Sequence, residues 1–599
     1  MRDPSLVERM NAVTHHRGPD DTGVWCDDHV TLGNDRLAII DISPAGHQPM
    51  ESADSRYIIV FNGEIYNYRE LKQSLSQYPF KSQSDTEVIL AGYATWGIDV
   101  FHRLNGVFAI AIWDKLEREL VLARDRFGVK PLYLYECDGK LLFSSEAKAL
   151  FLHADVPRTL NRNALGIFLR LGYVPAPQTL FKGVEEMLPG HIVRFRAGKS
   201  TRTRFADSKR TDGTLVGIEA ERVLAQTIDA AVSRQLVSER PVGIYLSGGF
   251  DSSIILDSMA RAKKSVDTYS VGFELANNAE FDKFNADFLL ARKTAQHYGA
   301  RHHELILGTE SLRELLEDAI YHLDEPIGNG TALAQLALSR FAKDSVTVVL
   351  TGDGGDELFG GYPRYLMSSR MDMYQSIVPG AVRSMLNASG KLAKLNVPHG
   401  AERYELFHFV KDEVLSDIAP QFASNKPHDA VSAALRELES LSWGEQFMRL
   451  DREWWLADEA LLRTDKMTMA ASIEARVPFL DNEVVALSEE IALSEKVTLV
   501  DTKRILKRAF RGRLPAHLYG QPKRGWFSPA AKWLREPKFE MFVREALSPG
   551  YSVGTRDIFD WEGVTRVLSD HIEAHRYNLP LIWSLLSLQV WARKFGITA

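Results

Sequence analysis

The chain has 599 residues, more than one hydrophobic core can organise, so several domain-sized units or two large ones are expected. Hydrophobic residues make up 45% and charged residues 25%, an ordinary globular balance, and the net charge of -7 excludes a dominant basic surface for nucleic acid or an anionic membrane. Two cysteines, Cys26 and Cys137, exclude a disulfide framework and a Cys-rich zinc site and fit a reducing, cytoplasmic setting, and no signal-peptide run or bilayer-length apolar stretch is present.

The first third reads as short strands and turns. Residues 57–61 (YIIVF) and 107–113 (VFAIAIW) are apolar and rich in β-branched and aromatic side chains, which predicts strands; Asn62-Gly63 predicts a turn after the first. Residues 85–95 carry helical spacing, so this part is expected to be α+β with antiparallel sheets. Residues 196–214 are polar and poor in large apolar side chains, as in a linker or an exposed hairpin. Strand and helix then alternate: a strand over 242–246, a glycine turn, a helix from Ile254, a strand over 268–273, a helix over 285–298, a helix over 332–343 and a strand over 346–350. That alternation predicts a parallel, doubly wound sheet. Beyond about Tyr365 the pattern is mostly helical, and Trp454, Trp455, Trp533, Trp583 and Trp591 read as helix-packing residues rather than a ligand cage.

The most informative segment is 247–253, SGGFDSS, between a strand and a helix. Gly248 and Gly249 let the backbone turn tightly and approach an anion, and the N–H groups opening the next helix face it. Ser247, Ser252 and Ser253 add hydroxyls, and Asp251 suits a phosphate site if Mg2+ bridges the two. A second acidic loop, 351–357 (TGDGGDE), closes the strand at 346–350, and ligands of open α/β sheets bind at such strand ends. Asp353 and Asp356 are therefore expected to converge with Asp251 on one metal-pyrophosphate. Gly198-Lys199-Ser200 imitates the end of a P-loop without its strand-loop-helix context, and the pairs His15-His16 and His302-His303 do not present two metal ligands on one face.

With these two loops in hand, the chain resembles the glutamine-hydrolysing asparagine synthetases over nearly its whole length. Arg17-Gly18-Pro19-Asp20, residues 36–41 (RLAIID), 62–67 (NGEIYN), 84–87 (SDTE), 474–481 (EARVPFLD) and Pro522-Lys523 with Gly525 carry the likeness. It implies a glutaminase domain of the N-terminal-nucleophile αββα type over 1–195, a linker over 196–214 and an ATP-pyrophosphatase-type synthetase domain with a helical C-terminal part over 215–599. In the first domain it implies that Arg36 grips the glutamine carboxylate, that Glu64 and Asp85 take its ammonium, and that Asn62 and the Gly63 N–H form an oxyanion hole. In the second it implies that Leu246, Val271, Thr351 and Gly352 contact ATP alongside Ser247, Gly248, Gly249, Ser252 and Ser253. Asp251 and Asp356 would hold Mg2+, Asp353 would serve acyl-adenylate formation, and Lys523 would neutralise phosphate charge. The implied reactants are glutamine or ammonia and aspartate or another carboxylate, with a homodimer among the open assemblies and no nucleic-acid or membrane partner.

Two departures from the family pattern stand out. Family members open on a cysteine nucleophile, whereas here Arg2 follows Met1, the Arg-Gly-Pro-Asp motif comes early, and Cys26 lies inside an apparent strand. The chain as written is expected to lack the glutaminase nucleophile and first strand, to leave a sheet edge unpaired, and to use free ammonia. A late start or a true ammonia-only enzyme would each produce this. The second departure is 324–333 (DEPIGNGTAL), where Asn329 resembles relatives that amidate sugar uronates, so aspartate leads as acceptor and a uronate stands second. Sulfur-inserting and lysidine-forming tRNA enzymes share the SGGxDS loop but need catalytic cysteines or a basic surface; a β-lactam-forming relative would have a degraded glutamine pocket; and a scaffold role conflicts with two intact loops.

Overall fold

The computed structural model describes residues 2–206, 211–263, 265–275, 278–387, 393–408, 410, 412–423, 428–521 and 528–599. The first half contains β1 (Asp21–Cys26), β2 (Thr31–Arg36), β3 (Met50–Glu51), β4 (Tyr57–Ile65), β5 (Gly106–Asp114), β6 (Glu119–Arg124), β7 (Tyr133–Cys137), β8 (Lys140–Ser144), β9 (Val184–Glu186), β10 (His191–Arg196) and β11 (Lys199–Arg204). A six-stranded sheet runs β11-β10-β6-β5-β4-β3, a three-stranded sheet runs β8-β7-β9, and β1 and β2 form a separate antiparallel pair. β4 and β5 are continuous apolar runs because both faces of their sheet are covered. Ile59, Phe61, Ile110 and Ile112 pack under the Asp85–Trp96 helix. Ile58, Val60, Ala109 and Ala111 face Leu132 and Leu134 across the gap between sheets. Sandwich and helices thus follow the expected layered αββα arrangement.

Two details differ from the reading of the sequence. Asn62-Gly63 is not a turn: β4 continues through it, with Asn62 opposite Ala109 and Gly63 opposite Phe108. Gly63 has φ 148°, and a Cβ there would lie 2.0 Å from the Val107 carbonyl oxygen, so only glycine permits the strand to close on β5. Of the two options for 196–214, the hairpin is the observed one as far as Arg204. Ala197 and Gly198, at φ 50° and 75°, turn β10 into the edge strand β11, and Lys199 and Ser200 belong to that strand.

The second half holds an all-parallel sheet of β12 (Val242–Tyr245), β13 (Asp267–Phe273), β14 (Arg301–Leu307), β15 (Val348–Leu350) and β16 (Glu474–Arg476), in the order β14-β13-β12-β15-β16. Ile244, Val348 and Leu350 face a core shared with the Gly217–Gln235 and Phe250–Ala262 helices. Tyr269, Val271 and Val349 face the opposite core, with the Thr331–Ala342 and Leu579–Lys594 helices. Both faces are covered, as a doubly wound sheet requires. From Pro363 onward the described chain is mostly helical. Trp533, Trp583 and Trp591 are fully buried among those helices, which makes them core residues. Among the described residues no helix is long and apolar enough to cross a membrane.

Candidate active sites

Strand order fixes where the first site lies. The chain leaves β12 toward β13 on one side, while β15 pairs on the other, so the order reverses between β12 and β15. A crevice opens at the carboxyl ends of strands at such a switch point. The 247–253 loop follows β12 and the 351–357 loop follows β15, and they meet there. A Cβ on Gly352 would lie 3.0 Å from the Asp251 Cβ, and one on Gly355 would lie 2.8 Å from the Asp251 carboxyl carbon. Absent side chains at these two glycines let the loops close together.

Within the first loop the hydroxyls brace the turn. Ser253 donates to the Gly249 carbonyl at 2.8 Å, Ser252 donates to the Ser247 carbonyl at 3.0 Å, and the Gly249 N–H donates to the Ser247 hydroxyl at 3.2 Å. Gly248 lies against the backbone of Asp287, where a Cβ would come within 2.5 Å of a carbonyl oxygen. The Phe250–Ala262 helix starts at Gly249 with no side-chain cap, which leaves first-turn N–H groups for an anion. Leu246, directly after β12, and Val271, on β13, are buried. Asp251 and Asp356 share one counter-ion: the Lys503 ammonium pairs with Asp251 and lies 2.5 Å from the Asp356 Oδ1. The other Asp251 oxygen is buried without a hydrogen-bond partner among the described residues.

Asp353 occupies the same loop, half-buried, and accepts hydrogen bonds from the Thr351 hydroxyl at 2.8 Å and the Thr464 hydroxyl at 3.2 Å. Its enclosure raises the carboxyl above its usual range, against the pull of those hydroxyls and of Arg463. Arg463 is itself held by Glu459 at 2.9 Å and by the Gln335 side chain at 2.6 Å, and Asn329 donates to the same Glu459 at 2.7 Å. The unusual 324–333 segment is therefore wired to the neighbourhood of Asp353. Lys523, with Pro522 and Gly525, lies outside the described residues. Lys503, Arg463 and Thr464 escaped the sequence reading. Lys503 has no local signature, because its position depends on a left-handed backbone at φ 51° ahead of the Arg504–Ala509 helix.

The second site is a cavity of about 220 Å³ in the first half. Arg36, Asn62, Gly63, Glu64 and Asp85 all line it, so the structure brings the expected glutamine-pocket residues together. Arg36 is anchored from behind, donating to the carbonyls of Ile40 at 3.1 Å, Asp41 at 2.5 Å and Ser43 at 3.2 Å; its guanidinium has five donors, so capacity remains. Asn62 donates to the Ser145 hydroxyl at 3.3 Å. Asp85 accepts from the N–H groups of Ile65 at 3.0 Å and Thr86 at 2.9 Å, yet burial still pushes it up to about 6. Burial also raises Glu64 well above the carboxylate range, with Arg476 opposing and Asp85 adding to the rise. Two buried carboxyls lining one cavity suit an incoming cation such as an ammonium, which would offset the cost of their burial. Apolar side chains, among them Val30, Val60, Ala111, Leu132 and Phe143, line the rest of the cavity. Neither Cys26 nor Cys137 lines it; they end β1 and β7.

The two sites share a wall. Arg476 of β16, fully buried, places its guanidinium 2.9 Å from Glu64 and donates to Glu474 at 2.8 Å, while its own carbonyl accepts the Thr351 N–H at 2.9 Å. One residue therefore contacts two carboxylates that line the cavity and the backbone of the acidic loop. Beside it, Asp465 receives Arg17 at 2.7 Å and Lys130 at 3.0 Å, and Asp324 receives Lys148 at 3.1 Å and Lys466 at 2.5 Å. His16 lies 3.1 Å from Glu146 in that cluster, while His302 and His303 hydrogen-bond Thr268, Ser270 and Asp267.

Comparison with known proteins finds two matching family models. A family model described as Asparagine synthase matches residues 223–593, and one described as Glutamine amidotransferase domain matches residues 1–206. Asparagine synthetase [glutamine-hydrolyzing] 1 of Bacillus subtilis is 32% identical, across 98% of this chain and 93% of that protein. Asparagine synthetase [glutamine-hydrolyzing] 3 of the same organism is also 32% identical, across 91% and 87%. A solved glutamine phosphoribosylpyrophosphate amidotransferase from B. subtilis aligns with 52% of this chain and 67% of its own at 15% identity, with a TM-score of 0.26, too low to carry an argument. With one model covering most of its second half, a second covering its first, and relatives matched nearly end to end, the chain belongs to the asparagine synthase family of amidotransferase ligases.

Proposed function

We propose that the chain is an ATP-dependent amide ligase that activates an acceptor carboxylate as its acyl-adenylate and passes ammonia to it. The acceptor oxygen attacks the α-phosphorus and pyrophosphate leaves. Ammonia then attacks the acyl carbon, AMP leaves with the former carboxylate oxygen, and the nitrogen sheds a proton. The observation that carries this reading is the convergence of Asp251 and Asp356, from two loops at the sheet's switch point, on a single cation. Phosphoryl and adenylyl chemistry is mostly positioning and charge neutralisation, and this geometry supplies both.

Two carboxylates and an unsatisfied buried Asp251 oxygen fit Mg2+, which takes one or two protein carboxylates plus phosphate oxygens. Asp251 and Asp356 would hold that ion, which when bound offsets charge on the phosphates. The uncapped helix start at Gly249 would receive the phosphates, with Leu246, Val271 and Gly352 against the nucleotide. Lys523 is proposed, from its motif, to neutralise phosphate charge as the intermediate forms. Asp353 would orient the acceptor, and Arg463 is the cation beside it that would steer the acceptor's carboxylate. In the first half, Arg36 would hold a glutamine carboxylate, Glu64 and Asp85 its ammonium, and Asn62 with the Gly63 N–H its side-chain amide oxygen.

Aspartate is the acceptor we favour, from the names of the relatives. A uronate is the second reading, because the 324–333 segment with Asn329 resembles relatives that amidate sugar uronates, and Asn329 is tied through Glu459 to Arg463. Pyrophosphate release from ATP with ammonium supplied, measured with aspartate and with uronates, separates the two. No release with any carboxylate would overturn the ligase reading.

A further inference from the structure

We propose that Lys503 is an internal placeholder for the metal ion: in the nucleotide-free enzyme its ammonium occupies the cation position between Asp251 and Asp356, and it yields that position only as the triphosphate arrives. This deepens the ligase reading and rests on it. The position is built for one cation. Lys503 is 4% exposed, its ammonium contacts carboxylates from both loops, and its backbone adopts the left-handed conformation that residues other than glycine, asparagine and aspartate rarely take. Gly361 makes the approach possible: a Cβ there would come within 1.7 Å of an Asp356 oxygen and 2.2 Å of the Lys503 Cε. Gly352 and Gly355 clear the Asp251 side in the same way. Three glycines and a strained lysine therefore converge on a pair of carboxylates that, buried together with no cation, would repel each other.

The consequence is an order of binding. A free divalent ion must displace a buried ammonium that already pairs with an oxygen of each carboxylate, so it binds poorly alone. A triphosphate offers that ammonium an alternative partner, and a lysine on its four-carbon stem can follow the phosphates without backbone movement. The carboxylates are then released to the metal that the nucleotide carries. The metal is thereby admitted only when there is a phosphate for it to serve.

Mn2+ binding to the full-length protein, read from the loss of the free-ion electron paramagnetic resonance signal, tests this without turnover. Nucleotide-free wild type should show no stoichiometric Mn2+ site in the micromolar range. Lys503→Met should gain one site at least tenfold tighter than wild type, and a Lys503→Met, Asp251→Asn double variant should lose it. Lys503→Gln serves as a second replacement if the methionine variant does not fold. Stoichiometric micromolar binding by nucleotide-free wild type overturns the proposal whatever the variants do, as does a folded Lys503 variant with unchanged Mn2+ affinity. Binding of a fluorescent ATP analogue is measured in parallel: its absence from wild type would sink the ligase reading, whereas the Mn2+ comparison reads the placeholder alone.

Discussion

Replacing Arg476 by methionine should be among the most damaging single changes at the junction of the two halves. The guanidinium is fully buried, lies 2.9 Å from Glu64, and donates to Glu474 at 2.8 Å and to the carbonyls of Gln235 and Val237 at 2.8 and 2.6 Å. Methionine fills much of the volume, so the loss is mainly electrostatic. It leaves two buried carboxyls without their nearest counter-charge, and breaking a buried pair in this way costs about 3–5 kcal/mol. Protonation limits the damage, at about 1.4 kcal/mol per unit of pKa displacement. Glu64 is already raised by burial even with Arg476 opposing, so removal of the arginine drives it further up. A carboxyl raised in the folded state favours folding below its unfolded pKa and forfeits that contribution as pH rises through its folded value. The variant's deficit should therefore be smallest near pH 5 and grow toward pH 8. At roughly 2–4 °C per kcal/mol for a cooperative unit of 150–250 residues, the melting transition should fall by about 10 °C at pH 8. Scanning calorimetry of wild type, Arg476→Met, Glu64→Gln and the double variant measures this, and the cycle should return a coupling above about 1 kcal/mol. A melt within about 2 °C of wild type at pH 8, or zero coupling, would refute the claim that the cavity and the acidic loop are tied through this side chain.

Other perturbations probe the sites directly. With burial pushing Asp85 up to about 6, glutamine binding, read by calorimetry, should weaken as pH falls through about 6 and release protons there, because an ammonium favours the ionised carboxyl; Asp85→Asn should remove that pH dependence. Asp353→Asn should lower pyrophosphate release at least a hundredfold while ATP-analogue affinity stays within about threefold, since Asp353 is proposed to meet the acceptor rather than the phosphates; equal loss of both would reassign it. Gly355→Ala should weaken nucleotide binding at least tenfold, because the new methyl would stand 2.8 Å from the Asp251 carboxyl and turn it aside. The melting temperature should change little, as Gly355 opens a short helix at ordinary φ.

What could be read from the sequence was what is encoded locally. The 247–253 and 351–357 loops carry their own glycines, hydroxyls and acids, so their conformation follows from a few adjacent residues, and the flanking strands announce themselves by apolar runs. The cavity residues were legible as motifs, though their meeting is a property of the sandwich. Asn62-Gly63 misled because the pair's turn preference is strong, while the reason for Gly63 is the Val107 carbonyl on the neighbouring strand, which no local window contains. β16 was invisible as a strand: three residues, Glu474–Arg476, pair with β15 from far along the chain and are dominated by charge. Lys503 was missed for a similar reason, since a lysine ahead of a short helix is ordinary until the fold turns its backbone left-handed and sets two aspartates around it.

The junction raises a final question, why so much charge is buried where the two halves meet. Arg17, Lys130, Lys148 and Lys466 interleave with Glu146, Asp324 and Asp465, and Asp465 and Lys466 sit next to each other on the Leu462–Met469 helix with partners in different places. Desolvation makes such a cluster poor value as stabilisation, and apolar side chains of the same volume would hold the halves together as well or better. An apolar seam, however, tolerates sliding. A seam in which Asp324 must accept two backbone N–H groups, from Ala147 and Lys148, as well as two ammonium groups has one register in which every charge is matched. Slippage by even one residue would strand several ions in a dry interior. The same register sets Arg476 against Glu64 on one side and Thr351 on the other. The charged seam is thus best understood as fixing the position of the cavity relative to the switch-point crevice, a geometric requirement imposed by carrying both in one chain.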